Sequence, residues 1–195
     1  MSPAEVLEFW FGPPGSPPLA SSTKWYTKDA AFDAEVRARF GETHALAAAG
    51  KLDEWKETPR GRLALVIVLD QFSRNMYRGD ARAFACDDRA RDLALEALST
   101  GEDRQLEPIE RTFLYMPLMH AEDSDLQRKC IAAFAVLADK APPDLQKYVA
   151  NGLDYAKQHA EIIERFGRFP HRNEILGRDS TSEEVAFLKQ PGSSF

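Results

Sequence analysis

The sequence predicts an all-α protein of about eight helices, paired as antiparallel hairpins, and three observations carry that expectation. Apolar residues recur at three- and four-residue steps through most long segments of the chain. Capping residues stand where those segments begin, and Gly or Pro where they end. No segment sustains the two-residue alternation of a half-buried strand. The 195 residues, 44% of them apolar, suit a single helical domain over 1–195, since a chain of this size buries about 70% of its unfolded surface.

The elements follow in order. Ser2 and Glu5 have capping-box spacing and Pro3 suits a first turn, so a short helix runs from Pro3 to about Phe11 and stops at Gly12. Residues Pro13 to Ser22 are rich in Pro, Gly and Ser and read as loop. From Asp29 to Ala49, Phe32, Val36, Phe40 and Ala47 keep helical spacing, with Gly50 just past the end. Thr58-Pro59 opens a helix through about Phe72. Its centre, Leu63 to Leu69, could pass locally for a buried strand, but it continues through Asp70-Gln71-Phe72 without Gly or Pro, which favours a helix. A turn is expected around Asn75 to Asp80, with Asn75 as a left-handed cap.

The next helix, about Ala83 to Leu98, should bury Phe84, Ala90, Ala94 and Leu98 before Gly101 closes it. Pro108 opens another, which Pro117 kinks or ends. Asp123 or Ser124 caps a helix striped by Leu126, Cys130, Phe134 and Leu137. The longest runs from about Asp144 to Phe166, its apolar face containing Leu145, Val149, Gly152, Ala156, His159, Ile163 and Phe166. Gly152 and Ala156 there admit a close neighbour, and Gly167 and Pro170 terminate the run. Ser180 with Glu183, or Thr181 with Glu184, caps a last short helix. No internal repeat of about 34 residues is visible.

Charge and composition exclude several functions. A net charge of −6 argues against nucleic-acid binding, which needs clustered cations. The longest apolar run is far short of the roughly 20 residues of a membrane span, and an amino terminus with Glu5 and Glu8 has no basic leader. A cytoplasmic location is therefore expected. Cys86 and Cys130 lack ligand spacing and read as structural thiols, and neither a metal nor a cofactor is expected from four scattered histidines. One stretch departs from the acidic average. Arg165, Arg168, His171, Arg172 and Arg178 face only Glu174 in their own segment.

Three segments are denser in polar and aromatic residues than packing requires: 69–79 (LDQFSRNMYRG), 110–123 (ERTFLYMPLMHAED) and 166–173 (FGRFPHRN). In these, and in Leu176-Gly177-Arg178 with Ser180, Thr181, Glu183 and Glu184, the chain resembles the bacterial proteins grouped as domain of unknown function 924. That resemblance implies a tetratricopeptide-repeat-like α-α superhelix and no particular activity. Ser73 departs from it, since proline is expected there in many relatives.

The segments admit a structural reading. Asp70 and Arg74 form an i, i+4 pair, Glu107, Glu110 and Arg111 decorate a first turn, Asp123 caps a helix, and Phe169 folds back on the helix it leaves. They also admit a functional one, in which all three meet at one end of the array. Gln71, Arg74, Asn75, Arg111, Tyr115, His120, His171, Arg172 and Asn173 would then surround one donor-rich pocket for a small anionic metabolite or an acidic peptide terminus. An enzyme, a hydrolase or transferase, would instead use His120 or His171 as general base beside Glu122 or Asp123. An adaptor without a pocket is the third possibility. His159, on an apolar stripe, reads as a hydrogen-bonded core residue.

Overall fold

The computed structural model describes residues 1–193, among which every regular element is helical and no strand occurs. Helix α1 (Pro3–Phe11) carries the expected Ser2–Glu5 capping box and ends at Gly12. The following loop is one residue shorter than expected, because Ser22 opens a short helix, α2 (Ser22–Tyr26), that places Trp25 against Trp10. Asp29 caps α3 (Ala30–Ala48) by accepting from the amides of Ala31 and Phe32.

Thr58 caps α4 (Pro59–Val66), and here the chain departs from the expectation. The helix does not stop near Phe72. It passes through a π-helical turn at Ile67–Phe72 and resumes as α5 (Ser73–Met76). Asn75 is accordingly helical rather than left-handed, and among the described residues none but glycine has positive φ. Ser73 is buried within this run, its hydroxyl donating to the Leu69 carbonyl at 2.6 Å. His44 meets that hydroxyl oxygen at 2.7 Å and, the hydroxyl proton being committed, donates to it from Nε2.

The helix expected from Ala83 divides into a 3₁₀ turn at Ala81–Phe84 and α6 (Asp87–Thr100), which leaves Phe84 only half-buried. Helix α7 (Pro108–Met119) retains Pro117 and ends two residues beyond it. Asp123 caps α8 (Ser124–Lys140), and a short connection turns the chain back into α9 (Pro143–Phe166), which packs along α8. Gly152 lies directly under the Phe134 ring. Gly167 ends α9 with φ of 68°, a 3₁₀ turn follows at Pro170–Arg172, and Thr181 with Glu184 makes the capping box of α10 (Ser182–Phe187).

One core runs from α1 to α9. Its amino-terminal half is aromatic, with Phe9, Trp10, Trp25, Phe32, Phe40, Phe72 and Phe113 in mutual ring contact. A smaller cluster of Ile162, Ile163 and Phe169, joined by Phe166 and Phe187, forms where the chain folds back on the end of α9.

Candidate functional site

The π turn puts Asp70 at the centre of a buried polar cluster. Such a turn admits one extra residue into the helical repeat, and π turns occur disproportionately at functional sites. The Asp70 side chain is fully buried and accepts from Gln71 Nε2 at 2.6 Å and His120 Nδ1 at 2.8 Å, while Arg74 lies 2.9 Å away. Burial alone would raise its carboxyl pKa, but Arg74 and His120 outweigh burial and hold it at about 2.

Arg74 reaches a second acid. Its two terminal nitrogens each donate to Asp87, in the first turn of α6, at 3.1 Å. Arg172, from the turn after α9, approaches the same carboxylate at 3.6 Å. The Arg172 guanidinium lies over the rings of Phe84, at 4.7 Å, and Phe169, at 4.5 Å. Arg172 is 7% exposed, and its Nε is buried with no hydrogen-bond partner. Burial, reinforced by the neighbouring Arg74, lowers its pKa to about 10. Two guanidiniums and two carboxylates thus balance in charge, although Arg172 remains poorly satisfied in hydrogen bonds.

Three imidazoles border this cluster. His120 ends α7, 6.2 Å from the His159 ring, and both His159 and His171 pack on Phe169. Burial lowers the pKa of all three, helped by Arg74 at His120 and by Arg172 at His171, to about 3 at His159 and about 4 at His171. They are therefore neutral near pH 7. With Asp70 ionised, His120 must donate from Nδ1, which leaves its Nε2 as an acceptor. His159 is 5% exposed, and its Nδ1 meets the Tyr155 carbonyl one turn back in its own helix, at 2.8 Å.

The three segments meet only in part. Gln71, Arg74, His120, His171 and Arg172 surround Asp70, Asp87 and Phe169. The other four expected members lie in separate networks. Asn75 donates to Asp33 on α3 at 2.7 Å, beside Arg78. Arg111 and Tyr115 join Asp103. Asn173 holds the carboxy-terminal turn through Ser180 and Arg178.

The expected catalytic acids are also committed elsewhere. Glu122 takes Arg178 at 2.6 and 2.9 Å and the Phe169 amide at 2.8 Å, and Asp123 caps α8 through the Leu126 amide. The carboxylate beside His120 is Asp70. Glu110 offsets no arginine of the cluster, because it bonds the Glu107 amide and pairs with Arg60 at 3.2 Å.

The sequence does not single out Asp87, and it marks Phe84 only as a buried position of a helix. The pair Asp87-Asp88 looks like ordinary helix decoration while the helix is assumed to begin at Ala83, and it stands at an amino terminus only once Phe84 is outside. Among the described residues, no group of three or more His, Cys, Asp or Glu is placed to hold a metal ion, and no helix is long and apolar enough to cross a membrane.

Residues 6–192 match the model of a family described as bacterial protein of unknown function (DUF924). A solved structure of a protein of unknown function from Agrobacterium tumefaciens is 39% identical, with a TM-score of 0.81 over 96% of each chain. No curated protein matches the chain.

Proposed function

The chain belongs to this family of bacterial proteins of unknown function, and within it we propose a binding module for a small oxyanion, a carboxylate or phosphate, held by Arg172 with Arg74 and His171. One observation carries the reading. Arg172 is a buried cation whose Nε bonds nothing, whose nearest carboxylate stands at 3.6 Å, and which lies over two phenyl rings. A buried donor without an acceptor costs about 1–3 kcal/mol, more when charged, and native structures leave few of them. An oxyanion on the Nε edge supplies the missing acceptor with the fork geometry that guanidinium favours. Arg74 and Asp87, each about one-fifth exposed, form the rim by which it would enter. That confinement favours a small ion over a peptide terminus. The hairpin array that holds the site is taken as one tetratricopeptide-repeat-like domain, supported by a core continuous from α1 to α9.

Thermal melting at equal ionic strength tests this. Phosphate, sulfate or a dicarboxylate should stabilise the protein more than chloride does, with a gain approaching 2.7 kcal/mol at a hundred times Kd. Arg172→Lys keeps the charge but removes the fork, and should lose most of the anion-specific gain while remaining folded. Equal effects of all salts, or an unchanged response in Arg172→Lys, would refute the proposal.

A second reading rests on the 2.8 Å bond between Asp70 and His120. A carboxylate that fixes the tautomer of a neutral imidazole makes its free nitrogen a general base. In that case the arginines orient an anionic substrate, and His120→Gln would abolish turnover while leaving the anion-dependent gain in melting temperature intact.

A further inference from the structure

Arg111 and Tyr115, absent from the cluster around Asp70, belong to a different feature. Helices α6, α7 and α8 enclose a groove of about 430 Å³, within the range of small-molecule sites. Leu95 and Leu98 from α6 and Ala133 and Val136 from α8 line it, with Tyr115 of α7 between them. Val136 is 52% exposed.

The polar rim is built rather than incidental. Asp103, 4% exposed, accepts from the Tyr115 hydroxyl at 2.6 Å and from Arg111 Nη2 at 3.1 Å. The same hydroxyl oxygen accepts from Arg111 Nε at 2.9 Å. Two of the three guanidinium nitrogens are thereby fixed, and Nη1 makes no hydrogen bond among the described residues. Arg111 is held in one orientation before any ligand arrives, which removes much of the ordering cost of binding.

Arg104 and Lys129 complete the rim. Neither forms an ion pair among the described residues, whereas most arginines of this chain sit on a carboxylate. Three cations and one internally committed acid around an apolar groove reverse the sign of a protein whose net charge is −6.

We propose that this groove binds a small amphipathic carboxylate. Its headgroup would rest on Arg111 Nη1 in the field of Arg104 and Lys129, and its hydrocarbon body would cover Leu95, Leu98 and Val136. The complementarity calls for both parts in one molecule: an uncharged tail leaves the cations unanswered, and a bare anion leaves the apolar lining wet.

Titration calorimetry on the whole chain decides it, in phosphate buffer that occupies the oxyanion site, with octanoate as probe and octan-1-ol and acetate as controls. Saturable one-to-one binding of octanoate is expected, with both controls at least about tenfold weaker. Arg104→Glu with Lys129→Glu should weaken octanoate about tenfold or more. Val136→Glu, at an exposed position, should abolish binding without unfolding the protein, and Arg172→Lys should leave it unchanged, separating this groove from the oxyanion site. Absence of saturation, octan-1-ol binding as tightly as octanoate, or an octanoate affinity unchanged from wild type in the charge-reversed or the Val136→Glu variant would each overturn the proposal. So would a wild-type dimer that Val136→Glu converts to monomer, since the groove would then be an interface between copies.

Discussion

Replacing Asp70 by Asn tests the polar cluster at its centre, because the change preserves shape while deleting the charge. The carboxylate is fully buried and meets Arg74, His120 and Gln71 within 3 Å. Deleting one member of a buried ion network usually costs about 3–5 kcal/mol, since the surviving charge stays out of water without its partner. Asn retains an acceptor and Asp87 still holds Arg74, so the lower end, about 3 kcal/mol, is expected at pH 7. Part of that cost must vanish in acid. The Asp70 carboxyl is held at about 2 against an ordinary 3.8, which corresponds to roughly 2 kcal/mol of folding free energy. The folded value is depressed, so this stability is fully present above pH 4 and is lost as pH falls towards 2. Urea unfolding of both proteins at pH 7 and pH 3 measures it: the gap should be about 3 kcal/mol at pH 7 and should narrow at pH 3. The buried histidines penalise acid in both proteins, so their contribution largely cancels. A gap that is the same at both pH values, or below about 1 kcal/mol at pH 7, would show that Asp70 does not hold the cluster as a charge.

Two further outcomes follow from packing and burial. Gly152→Ala should destabilise by about 1–2 kcal/mol in urea unfolding, although alanine is the better helix former by about 1 kcal/mol; an added Cβ would lie 2.7 Å from the Phe134 ring, and that side chain is itself buried. His159, with its pKa lowered to about 3 by burial and by His120, should show no imidazole titration by nuclear magnetic resonance between pH 8 and 5. Its contribution to stability is therefore lost as pH drops from about 6.5 towards 3, and a midpoint near 6.5 would refute the buried, neutral assignment.

The helices were legible because their signals are local. Ser2 with Glu5, Asp29, Thr58, Asp123 and Thr181 with Glu184 cap helices where capping chemistry requires, and the stripe of α9 faces the core it anticipates. The π turn left no such mark. Leu63 to Leu69 is apolar on every side and fully buried, so no periodicity remained to betray an extra residue in the repeat. Asp87 was hidden because its partners, Arg74 and Arg172, are distant in sequence and the start of its helix was misplaced by a few residues. Arg111 is a different kind of miss. It is nine residues before His120 on one helix, about two and a half turns, so the two project from opposite faces. The residues of that segment therefore fall into two separate clusters, one on each side of α7.

The basic run from Arg165 to Arg178 shows how the cluster is assembled from separated parts. Each arginine in it meets an acid from elsewhere in the sequence: Arg165 with Glu183, Arg168 with Glu184, Arg178 with Glu122 and Arg172 with Asp87. The local excess of positive charge is thus a set of fasteners that lay the carboxy-terminal segment across the ends of α6, α7 and α9. Exposed pairs such as Arg165–Glu183 add little stability, but together they fix where the 3₁₀ turn of Pro170–Arg172 must sit. Three of the four arginines make charge-assisted hydrogen bonds of 2.6–2.9 Å to their acids. Arg172, the most buried of them, stands 3.6 Å from its acid with Nε unbonded. A fastener would not be built that way. The exception falls at the one place where the segment meets the π turn, Asp87 and three neutral imidazoles, and for that reason the oxyanion reading is placed on Arg172 rather than on the more exposed arginines around it.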